Sequence, residues 1–358
     1  MSLKDYLFDV DATKERYVYL DILRILGCAA IVMVHVTQSL VMSPGIETGK
    51  WLTGCTYYAM SDWAIQVFFM ISGALILSQP EQEVTHFLKK RAIRILPPFI
   101  VWTAIYLFIV YQDTILQGQL PPVRTILNVF ASPAYSHLWF LYTIVCFYLW
   151  APVFQVFVQK APKKVIEYIL IVGLVSTNVY LLVQHYYGMN IKIIVWIFDI
   201  PGFFILGYYL HKYDLRRKWR RLIYFLTIVS IPLMVFLTYL ERDNYDGYFI
   251  YRWSPFLFIV VVGIFVYVKR IEWEKCSEKW VWFSKVTITG GILSFGVYLI
   301  HPIVHMLFND LSWNVAIDGF LFHQVISIPI VTAGITLISF AACWGISKIP
   351  LVRRIIGA

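Results

Sequence analysis

The sequence predicts an all-α, polytopic membrane protein of about ten transmembrane helices, with both termini on the cytoplasmic side. Three observations carry this. The 358 residues are 59% hydrophobic and only 14% charged, where a soluble domain carries about 25% charged residues; mean hydropathy is +0.69. Apolar runs of about 20 residues, the length that crosses a bilayer, recur along the whole chain. Lysine and arginine fall in alternate connections, as they do when one side of a membrane retains them. All connections are short, so residues 1–358 read as one membrane domain with a cytoplasmic tail at 1–16.

The elements follow in order. The run at 17–40 comes after Lys4, Lys14 and Arg16 and precedes a connection holding only Lys50. The run at 53–78 leads to a loop with Lys89, Lys90, Arg91 and Arg94. The run at 94–112 ends before a connection with Arg124, and that at 136–158 before Lys160, Lys163 and Lys164. Runs at 164–184 and 193–210 enclose Lys192 and end at the basic stretch from Lys212 to Arg221. Runs at 222–240 and 249–268 enclose Arg242 and Arg252, and Lys269, Arg270, Lys275, Lys279 and Lys285 follow. Runs at 288–308 and 322–346 complete the set before Lys348, Arg353 and Arg354. With the amino terminus inside, 24 of the 30 basic residues lie on the inner side, an alternation that a miscounted helix would scramble.

The net charge of +9 therefore reports topology rather than a nucleic-acid partner. The five cysteines show no metal-ligand spacing and read as packing residues without a disulfide framework. The segment before Tyr17 is of mixed charge, and the apolar run after it is too long for a cleavable signal.

The first run carries costly residues. A guanidinium in the bilayer core costs roughly 2.5–3.5 kcal/mol on insertion scales and persists where it faces protein or a watery cavity. Arg24 and His35 are eleven residues apart, three turns plus about 20°, so they share a face, about 16 Å apart along the axis. Asp21 lies on the same stripe, one turn before Arg24. Orientation turns position into depth: Arg24 stands in the inner third and His35 in the outer half. His137 opens the fourth run at its outer end, and His301 stands past the middle of the ninth, with His305 a turn further out. Cations inside suit an anionic donor such as a phosphate-bearing cofactor. Imidazoles further out suit proton abstraction, since their ordinary pKa is about 6.5.

Five motifs stand in this frame in order: Arg24-x10-His35; Phe68-Phe69-x-x-Ser72-Gly73; Arg91-x-x-Arg94 followed by proline; His137-Leu-Trp139-Phe-Leu-Tyr142; and Ser294-Phe-Gly-Val-Tyr-Leu-Ile-His301-Pro302. Together they resemble the acyltransferase 3 family of integral membrane acyltransferases, most of all the branch that decorates bacterial surface polysaccharides such as enterobacterial common antigen. The resemblance implies an O-acetyltransferase moving an acyl group, acetyl or alternatively succinyl, from cytoplasmic acyl-CoA to a hydroxyl of a cell-surface glycan or its lipid-linked precursor. Acetyl-CoA would be a co-substrate, with no metal. The setting would be the inner (plasma) membrane of a bacterium, with membrane lipid as the remaining partner.

The resemblance also implies roles, each beside a structural alternative. His35 would be the catalytic base or a transient acyl carrier, or else a histidine bonded to a neighbouring backbone. Arg24 would serve the catalytic site with His35, holding the donor's phosphate or thioester region or positioning His35's partners, or else tether its helix through Asp21; Asp21 would border the substrate site. Arg91 and Arg94 would grip CoA phosphates, although topology alone predicts arginines there. His137, Trp139 and His301 would line the acceptor site, with Trp139 equally an interface anchor. Ser72 and Gly73 read as packing residues, and Asp62, Asp199 and His305 receive no role. A transporter or flippase of a lipid-linked glycan is the rival, since intramembrane charges also mark transport paths.

Overall fold

The computed structural model describes residues 16–119, 123–129, 131–189, 199–244, 246–250, 254–310, 323–350 and 352–357. These residues form helices and no strand. In chain order they are α1 Val18–Val41, α2 Thr48–Ala59, α3 Ala64–Ile76, α4 Val84–Leu116, α5 Val123–Asn128, a 3₁₀ turn Ser136–Leu138 and α6 Trp139–Lys160. Then come α7 Lys163–Tyr187, α8 Asp199–Lys212, α9 Arg217–Leu240, α10 Pro255–Arg270, α11 Trp273–Lys279, α12 Val281–Asp310, α13 Gln324–Ser347 and a 3₁₀ turn Arg353–Ile356.

Each of the ten apolar runs contains helix, and the protein is an all-α polytopic membrane protein. Among the described residues, eight segments are long and apolar enough to cross a membrane; α8 and α10, at 14 and 16 residues, are shorter as described. Lys4, Lys14, Lys192 and residues 193–198, 251–253 (Arg252 among them) and 322 of three expected spans lie outside the described residues. The exterior carries large apolar side chains such as Leu149, Val153, Ile228 and Leu337, as a lipid-facing surface requires.

Three expectations change. The second run, 53–78, is not one helix. It breaks at Met60–Trp63, where the amides of Ser61 and Asp62 both turn back to the Tyr58 carbonyl, each at 2.9 Å. Serine and aspartate compete with the helical backbone for hydrogen bonds, which favours a break there. The Arg91/Arg94 segment is also not a loop: it lies within the 33-residue α4, which continues through Pro97 and Pro98. The cysteines form no disulfide, but Cys146 and Cys276 are exposed rather than packed; Cys28, Cys55 and Cys343 are buried.

The centre is α1, which packs against α2, α3, α10, α12 and α13. The tightest crossing is between α3 and α8. A Cβ on Gly73 would stand 1.8 Å from the Phe204 carbonyl oxygen, and one on Gly207 would stand 2.0 Å from that of Met70. Two backbones touch here because neither residue has a side chain. Gly73 is thus a packing residue, as expected. Gly73→Ala should force the helices apart and cost about 1–3 kcal/mol, read as a lowered melting temperature in detergent; an unchanged one would contradict the crossing.

Side chains tie the helix ends. Gln159 Nε2 donates to the carbonyls of Leu77 and Gln79 at 2.9 and 2.7 Å, serving the open end of α3. Lys269 Nζ donates to the carbonyls of Leu210 and His211 at the end of α8, and to Asp214 at 3.0 Å. That bond holds the Asp214 carboxyl below its ordinary value. On the opposite side His185 meets Asp246 at 2.6 Å and Glu241 at 3.2 Å, joining the ends of α7 and α9.

Candidate functional site: an arginine cluster and a histidine cluster on one helix

α1 runs unbroken from Val18 to Val41, so Asp21, Arg24 and His35 keep their common face. At its basic end Asp21 is 2% exposed. One of its oxygens accepts from Arg24 Nη1 at 2.7 Å, the other from Arg16 Nε at 2.8 Å. Arg16 Nη2 also donates to the Ile288 carbonyl, tying the cluster to α12. Gly291 makes the room: a Cβ there would stand 2.3 Å from the Asp21 carboxylate. The tether that sequence offered as an alternative for Arg24 therefore exists. Yet one carboxylate faces two guanidiniums, and the charge of Arg94 also reaches Arg24. The cluster keeps excess positive charge, the condition for holding an anion.

Arg91 stands apart from this group. Its guanidinium lies over the rings of Phe87 and Tyr148, at 5.2 and 5.5 Å, and its Nε is buried without a hydrogen-bond partner. Arg94, one turn on, is exposed. The two share a face of α4.

At the other end three histidines from separate elements converge. His35 of α1 and His301 of α12 have ring centroids 5.1 Å apart; His137, from the 3₁₀ turn before α6, is 5.8 Å from His301. His137 and His301 are 2% and 1% exposed. Tyr106 of α4 packs edge-on to His137 at 4.7 Å and donates to the Leu299 carbonyl at 2.7 Å. Tyr135 lies 5.5 Å from His137, and the Tyr298 hydroxyl donates to the His137 carbonyl. Trp139 is half-buried and packs 6.2 Å from Phe69. His305 is partly buried, and the Asp199 side chain lies outside the described residues.

The His301 geometry follows from its neighbour. Pro302 has no N–H, so the Tyr298 carbonyl lacks its usual helical donor. His301 Nδ1 takes that place, 2.7 Å from the Tyr298 oxygen and 3.3 Å from that of Val297. Carbonyls only accept, so the proton sits on Nδ1 and the Nε2 lone pair is exposed to the cluster. That Nε2 and both ring nitrogens of His137 have no well-formed hydrogen bond. Buried polar atoms in this state cost about 1–3 kcal/mol each unless a substrate or water meets them. Pro302→Ala restores the helical donor and frees the ring. It should lower activity about tenfold while leaving the fold intact, since replacing a helix-interior proline favours the helix; full activity would show that the tether is idle.

Sequence reasoning missed Tyr106, Tyr135, Tyr298 and Arg16. Arg16 was counted with the topology charges. The signal for the tether lay in Tyr298-x-x-His301-Pro302, a proline one residue after a histidine within a span.

This combination defines a polytopic membrane protein with a polar stripe through its centre, cationic at one end and imidazole-lined at the other. A family profile described as an acyltransferase domain, acyltransferase 3, matches residues 17–348. The chain belongs to that family, and is a membrane acyltransferase. No curated protein and no solved structure matches it significantly.

Proposed function

We propose that this protein is an O-acetyltransferase of the bacterial cell membrane, moving acetyl from cytoplasmic acetyl-CoA to a hydroxyl of a cell-surface glycan or its lipid-linked precursor. The observation that carries this is the single unbroken helix with a cation cluster at its basic end and His35 about 16 Å further along. A pantetheine arm is a neutral chain of that order of length with a phosphate at one end and the thioester at the other. Arg91, Arg94 and the spare charge of Arg24 hold the phosphates, and the arm lies along α1.

His35 takes the proton of the acceptor hydroxyl. The oxygen attacks the thioester carbonyl, forming the ester bond as the carbon–sulfur bond breaks, and the departing thiolate takes a proton to leave as CoA. His137 and His301 orient the acceptor through their open nitrogens. Arginine's planar fork suits phosphate, and a positioned imidazole contributes about 10²–10⁴ in rate.

The purified protein in detergent should release CoA from acetyl-CoA in the presence of acceptor. Arg94→Ala, an exposed change, should raise KM for acetyl-CoA about tenfold with kcat held. Failure to bind or consume acetyl-CoA, with movement of glycan lipid across liposomes, would overturn the reading in favour of a transporter. Succinyl-CoA turnover in preference to acetyl-CoA would replace the acyl group and keep the mechanism.

A further inference from the structure

A second site lies elsewhere in the bundle. Helices α6, α7, α8 and α10 enclose a cavity of about 340 Å³ that shares no wall with the arginines or histidines above. Its walls include Phe154 and Phe157 of α6, Leu170 of α7, Phe203 and Leu206 of α8 and Phe258 of α10. Val153, 57% exposed on the outside of α6, is also in the wall, so the cavity reaches the lipid-facing surface. Ligand sites begin at about 300 Å³, and an apolar cavity of about 150 Å³ already takes up benzene.

Three polar residues interrupt this wall; the Ser254 hydroxyl oxygen already accepts from the Leu257 amide at 3.1 Å, which leaves Thr177 and Asn178 as the two with unpartnered atoms. Thr177 is 8% exposed, and its hydroxyl has no hydrogen-bond partner. Beside it, the Asn178 amide nitrogen donates to the Leu174 carbonyl at 2.8 Å, which leaves its Oδ1, also without a partner, as a pure acceptor. Both line the cavity. Thr177 is about 21 Å along α7 from Lys163, at 1.5 Å per residue, well inside the bilayer, where water does not reach an open polar group.

The chemistry of the occupant follows. Among the described residues the wall is apolar apart from Thr177, Asn178 and Ser254, and none of them is charged, which disfavours a phosphate or ammonium headgroup. A carboxylate would face the acceptor oxygen of Asn178. A hydroxyl matches both atoms, donating to Asn178 Oδ1 and accepting from Thr177. We propose that this cavity binds a neutral lipid alcohol, a long hydrocarbon chain carrying one hydroxyl. The proposal is independent of the acyl-transfer reading, because binding alone tests it.

The test uses the full-length protein in detergent with two photoreactive probes, a diazirine-bearing hexadecanol and the matching hexadecane. The alcohol should label α7 and α8 about tenfold more than the hydrocarbon, the effect of two hydrogen bonds in an apolar site. A Cβ on Gly202, another wall residue, would meet nothing within 4 Å, so Gly202→Trp should fill the cavity and abolish labelling by both probes. The double change Thr177→Val, Asn178→Leu removes both open polar atoms, together with the local bond from Asn178 to the Leu174 carbonyl; it should reduce alcohol labelling to the hydrocarbon's level and leave the latter as it was. Equal labelling of the wild type by both probes, labelling elsewhere, or no loss in either variant would overturn the proposal.

Discussion

His35→Ala should lose about 10²–10⁴-fold in acyl transfer, the range of a positioned acid–base group, with the amount of folded protein unchanged. His35 is only partly buried, at the edge of a cluster held by other ties. Tyr106 and Tyr298 bond to backbone carbonyls, and His301 is fixed by its own helix. Removing the ring therefore takes away chemistry more than packing. The control is His301→Ala, which should lower activity less, because that ring orients the acceptor. The measurement is acceptor acylation by purified protein at matched amounts of folded enzyme. Activity of His35→Ala within tenfold of wild type would end its role as base.

The largest effect on stability should come from Asp21→Ala. The carboxylate is buried and bridges two guanidiniums, at 2.7 and 2.8 Å. Its loss leaves Arg16 and Arg24 as uncompensated cations facing one another. Removing one partner of a buried pair costs about 3–5 kcal/mol. The low end applies here, since the Arg24 and Arg16 side chains keep 26% and 29% exposure. Thermal unfolding in detergent should move to clearly lower temperature, and Gly291→Ala, which crowds the same carboxylate, should move it the same way. An unchanged melting temperature for Asp21→Ala would show that water already screens the cluster.

Much of the site was legible because it lies on one helix. The 3.6-residue period sets the relation of Asp21, Arg24 and His35 without reference to anything else, and α1 is unbroken over that length. The arginine pair on α4 was legible as residues but not as helix, because the basic run from Lys89 to Arg94 interrupts the apolar pattern while the helix already starts at Val84. The break at Met60–Trp63 was hidden for the opposite reason: an apolar run continuing across Ser61 and Asp62 looks like one span. Tyr106 and Tyr135 carried no pattern, since they come from α4 and from a short connection, whereas Tyr298 of α12 stood within a motif that did not show its contact with His137.

The sequence by itself determined the class of fold, the side on which its charges lie and the polar stripe of α1, because hydropathy, charge alternation and helical period are local properties of the chain. Only the tertiary structure decided that His301 meets both His35 and His137, that Asp21 serves two arginines, and that Thr177 and Asn178 face a cavity. Those facts depend on how far helices approach and at what angle. The reciprocal contacts of Gly73 with α8 and of Gly207 with α3 show how finely side-chain volume sets that approach.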